Sequence, residues 1–168
     1  DNAIKATSAG TAVVRATVRN GQAYGEDYHK DYTIEFYETD EISVANGSII
    51  IFKKDENTVT ITGGGLVEAK EYPMDEYITI IGTTDSNTIT ISEGTTANVI
   101  LSNVSISSSN TPIDIETGAT LNLTLLGENT LTSNTNVNAA LHVPSGAKLV
   151  ITDESTGSLN ATSGANAA

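Results

Sequence analysis

A repeat beginning at Ile89 constrains this chain more than any other feature. Ile89-Thr90-Ile91-Ser92-Glu93-Gly94 aligns with Ile113-Asp114-Ile115-Glu116-Thr117-Gly118, and both align with Leu141-His142-Val143-Pro144-Ser145-Gly146. A second strand-like run follows each glycine: Val99-Ile100-Leu101, then Leu121 to Leu125, then Leu149-Val150-Ile151. A third run closes each unit, at Val104-Ser105-Ile106, Thr130-Leu131 and Ser158 to Ala161. The glycines lie 24 and 28 residues apart. Three strands and three turns at such a period make one rung of a parallel β-helix. No rung can bury its inward Ile, Leu and Val alone, so each must stack on the next. Leucine-rich repeats share the period, but their Leu-x-x-Leu-x-Leu consensus is lacking here. The expected fold is therefore all-β, a right-handed parallel β-helix over residues 84–168. Ala165 to Ala168 repeats the opening Val137-Asn138-Ala139-Ala140, so the coils are expected to continue past the last residue.

The segment before the repeat reads differently. Ile4 to Thr7 leads into Thr11 to Val18, where Ala12, Val14, Ala16 and Val18 alternate onto one face. A polar loop is expected from Asn20 to about Asp31, followed by a strand at Tyr32 to Tyr37 with Tyr32, Ile34 and Phe36 on one side. Residues 41–83 read as transitional strands, Ile49 to Phe52, Val59 to Thr62 and Tyr77 to Ile81. All the aromatic residues lie between Tyr24 and Tyr77, and they are expected to cap the apolar end of the stack.

Composition narrows the function. The formal net charge is −13, with 21 acidic against 8 basic residues. So negative a surface repels phosphate backbones and argues against nucleic-acid binding, while carboxylate and carbonyl oxygens suit Ca²⁺. Cysteine is absent, so disulfides and thiolate metal sites drop out. No apolar run approaches the roughly 20 residues of a membrane span, and the opening Asp1-Asn2-Ala3 reads as expected of a mature or trimmed product rather than of a signal peptide.

Three candidate ligand-binding residues stand out on the outer face of the first strands. Asp114 and Glu116 point the same way, and in-register stacking would bring Asp114 within one strand spacing, about 4.8 Å of backbone, of His142. The functional reading is a polar or metal-assisted site for a hydroxyl-rich or acidic ligand; the plain alternative is a solvated face with one ion pair. Asp153-Glu154, after the Leu149 to Ile151 strand, are the candidate Ca²⁺ ligands, although the dense Asp/Asn/Gly spacing of a calcium loop is missing. Catalysis is poorly supported. A lyase needs basic residues, and from Asp85 onward the only Lys or Arg is Lys148. A hydrolase needs converging carboxylates, whereas Asp114 and Glu116 align with Thr90 and Ser92 on one side and His142 and Pro144 on the other.

Two resemblances extend this reading. Residues 1–40, with the Lys5-Ala6 pair, Ala9-Gly10-Thr11-Ala12 and the closing aromatic-aliphatic strand, resemble the last strands of a bacterial Ig-like domain. That likeness implies a two-sheet sandwich of which only part is present. Residues 77–168, through the phrases Gly94–Ile106, Ile115–Leu131 and Val143–Gly164, resemble the β-helical carbohydrate-binding-domain proteins of Gram-positive and gut bacteria. The resemblance implies an exported, cell-surface protein that binds a polysaccharide or host glycan, some relatives using Ca²⁺ to hold acidic polysaccharides. The expected function is a non-enzymatic carbohydrate-binding or adhesive module, with neighbouring copies or domains capping the coil ends. A ligand-free stalk, filament or phage-fibre segment, and a fragment of a polysaccharide lyase or glycoside hydrolase, stay open as alternatives.

Overall fold

The computed structural model describes residues 10–36 and 42–164. They fall into two compact units divided at residues 39 and 40.

The first unit is one antiparallel hairpin, β1 (Gly10–Ala23) and β2 (Glu26–Phe36), turning at Tyr24-Gly25. Directly opposed residues share a face. The pairs Ala12/Ile34, Val14/Tyr32 and Val18/Tyr28 therefore make one side largely apolar, with Ala16/Lys30 among them, while Arg15/Asp31 and Thr17/His29 make the other mostly polar. Glu26 to Asp31 is strand rather than the expected loop: cross-strand pairing carries these polar residues along despite their weak β propensity. The strand expected at Ile4 to Thr7, and Tyr37, lie outside the described residues.

The second unit is a β-solenoid of about three turns. A short strand β3 (Ile42–Ser43) and a 3₁₀ turn at Val44–Asn46 precede β4 (Ile49–Lys53), β5 (Thr58–Gly63) and β6 (Lys70–Pro73). The coil strands follow: β7 (Tyr77–Thr84), β8 (Ile89–Ile91), β9 (Thr96–Ser108), β10 (Ile113–Ile115), β11 (Thr120–Leu126), β12 (Glu128–Ser133), β13 (Leu141–His142), β14 (Lys148–Ile151) and β15 (Ser158–Thr162). One face stacks β4, β8, β10 and β13 in parallel, with Ile49, Ile89, Ile113 and Leu141 in one column. A second stacks β7, the first half of β9, β11 and β14, and a third the second half of β9, β12 and β15.

Alternation along each strand sends one set of side chains inward. Ile51, Ile91, Ile115, Leu101, Leu123 and Ile106 are fully buried, each contributing about 1.5–3 kcal/mol of hydrophobic stabilisation. The turns after β8, β10 and β13 place Gly94, Gly118 and Gly146 at φ of 66°, 72° and 83°, the left-handed region only glycine enters without strain. The three-strand rung read from the glycine spacing is thus the rung observed.

The parallel stack begins earlier than residue 84. β4 pairs with β8 and β7 with β9, so the supposedly transitional segment supplies a first rung, interrupted by the antiparallel excursion β4-β5-β6. Of Phe52, Tyr72 and Tyr77 only Tyr72 is buried in the core, while Ile42 and Val44, next to β7, are covered completely. In the last rung the inward residues Leu149 and Leu159 are only half buried and Ile151 is 47% exposed. Residues 165–168, expected to open another coil, lie outside the described residues. Among the described residues no helix is long and apolar enough to cross a membrane.

Candidate functional site

The first face presents its outward residues in columns, and one column carries chemistry. β10 pairs with β13 so that Asp114 stands directly opposite His142. The two side chains meet, with Oδ1 of Asp114 2.7 Å from Nδ1 of His142. Both stay substantially exposed, the Asp114 side chain at 40% and that of His142 at 49%, so the contact is a solvated surface pair. Glu116, two residues along β10's direction, points to the same side. Its Oε2 accepts a hydrogen bond from the backbone N–H of Glu93 at 2.9 Å, tying the turn of one coil to that of the coil before. The parallel register therefore assembles all three expected residues, Asp114, Glu116 and His142, around a shallow open groove of ≈ 390 Å³.

Glu93 also lines this groove, with Thr117 and Pro144. Sequence reasoning missed it because its counterparts are Thr117 and Ser145, so it belongs to no acidic column. Its place immediately before Gly94, at the stacked turn, was the available signal. With Glu93 the groove holds three carboxylates and one imidazole, a strip of hydrogen-bond acceptors facing water.

Asp153 and Glu154 occupy the exposed turn after β14. They do not meet the Asp114 cluster. Glu154 lines a different groove, of ≈ 200 Å³, with Tyr77, Ile100 and Thr124 on the second face. Among the described residues no three His, Cys, Asp or Glu side chains form a group able to hold a metal ion. On the second face polar side chains also pair from coil to coil: Asn122 Nδ2 donates to Asn98 Oδ1 at 2.8 Å, and the hydroxyls of Thr124 and Thr152 lie 2.7 Å apart.

No protein-family model, curated protein or solved structure matches the chain.

Proposed function

We propose that this chain is an extracellular bacterial surface module that binds carbohydrate along the groove of Glu93, Asp114, Glu116 and His142. The observation that carries the reading is the gathering of three carboxylates and one imidazole along one open groove, with Asp114 and His142 paired at strand spacing. Sugar hydroxyls are hydrogen-bond donors, and carboxylates accept from them in charge-assisted bonds. An acidic polysaccharide would need Ca²⁺ to bridge it to so negative a groove, whereas a neutral glycan would not. The groove is open, and no described residue closes over it to exclude water from a substrate, which favours binding over turnover.

A glycan array probed with and without Ca²⁺ tests this. Retention should fall more than tenfold in the Asp114→Ala, Glu116→Ala double variant, since hydrogen bonds to charged groups contribute about 1.5–3 kcal/mol each. The retained glycan should release no new reducing ends. Unchanged retention in the double variant would remove the site. No retention of any glycan would instead favour the stalk or fibre role.

A further inference from the structure

Tyr77 is the last aromatic residue in the chain. Rather than capping the stack, it opens β7 on the outer surface of the second face, in register with Asn98, and is 45% exposed. Ile100 stands on the same surface of β9, with Thr124 opposite it on β11. Glu154 projects from the turn after β14. These four residues come from four successive rungs, so the groove they line runs along the stack. Thr124 engages its hydroxyl with Thr152, which leaves the Glu154 carboxylate as the charged group of an otherwise largely apolar wall.

We propose that this groove is a second sugar subsite, selective for a neutral pyranose, whose class of ligand rests on the carbohydrate-binding reading above. The Tyr77 ring and the Ile100 side chain would take the C–H face of one pyranose. Glu154 would accept hydrogen bonds from the hydroxyls at its rim. An aliphatic ligand or an apolar protein surface fits less well, because covering Glu154 without a donor would strip water from a charge and return nothing. Acidic sugars are disfavoured by the same carboxylate and by the net charge of −13. At ≈ 200 Å³ the groove suits a single ring, below the 300–1,000 Å³ range of drug-sized pockets.

Amide chemical shifts of the ¹⁵N-labelled full chain, titrated with the methyl pyranosides of glucose, galactose and mannose, provide the test. At least one sugar should move the amides of Tyr77, Ile100, Thr124 and Glu154. Tyr77→Ala should weaken that binding about three- to tenfold, while Tyr77→Phe, which keeps the ring, should retain it. Glu154→Gln should also weaken it, and Asp114→Ala with Glu116→Ala should leave it unchanged. Silence of these four amides with all three sugars, or shifts indifferent to Tyr77→Ala, would overturn the subsite. Shifts confined to Asp114, Glu116 and His142 would overturn it too while sparing the first groove, so the two readings fail separately.

Discussion

Asn129 is 1% exposed, a buried amide beside a core built largely of Ile, Leu and Val. Its Oδ1 accepts from the backbone N–H of Val104 at 2.9 Å, and its Nδ2 donates to the carbonyls of Leu126 and Ser158 at 3.2 and 3.1 Å. One side chain thus satisfies backbone groups from three successive coils at the corner where β11 turns into β12. Asn129→Leu would keep the bulk and strand those groups. At about 1–3 kcal/mol per unsatisfied buried group, it should cost at least about 2 kcal/mol, read as a lower urea midpoint with an unchanged slope. The sequence offered little warning, since Asn129 sits among many surface Asn and Thr residues and only the corner geometry turns it inward. Asp114 and His142 were easier to pair. A parallel register set by the flanking Ile113 and Leu141 puts them side by side whatever their chemistry.

At the scale of elements, the β1-β2 hairpin shows how a cross-strand pair orders an exposed ribbon. Arg15 Nε and Nη2 donate to the two Asp31 carboxylate oxygens at 2.7 and 2.8 Å. The guanidinium, through these hydrogen bonds, holds the Asp31 carboxyl below its ordinary range. The pair's contribution is fully present above the unfolded-chain carboxylate pKa, about 3.9, and is lost as the pH falls through the lower folded value. Arg15→Ala should therefore raise the Asp31 carboxyl midpoint in an NMR titration; an unmoved midpoint would mean that the pair does not persist in solution. The alternation of Val14, Ala16 and Val18 made β1 legible. The polar start of β2 was not, because Lys30 and Asp31 are held by Ala16 and Arg15 across the ribbon and not by their own preference. The excursion β4-β5-β6 escaped for a related reason: strand periodicity tells which residues face in, but not whether the next strand runs parallel or back.

Across the whole solenoid, each coil touches only its neighbours, so stability is close to a sum of coils and the interfaces between them. Leu123 is fully buried between β9 and β14, whereas Leu149, in the last described rung, is half buried, with a described coil on one side. Leu123→Ala should cost about 2–5 kcal/mol and Leu149→Ala distinctly less, measured by equilibrium denaturation. Equal losses would show that the last rung is covered in solution. The repeat made this stacked part readable because the inward Ile and Leu recur at fixed offsets from each glycine. The first rung was hidden, since the β4-β5-β6 excursion separates β4 from β7 in sequence although both belong to the stack.

The uneven glycine spacing leads to a last point. From Gly118 to Gly146 the chain spends four more residues than from Gly94 to Gly118, yet Ile113 still stands over Ile89 and under Leu141. The surplus is absorbed between Ser133 and Leu141 and at the corner by Gly127. Such a fold has a reading frame. Length changes at corners and loops are silent, while a single residue gained or lost inside a strand would turn every later side chain of that strand inside out.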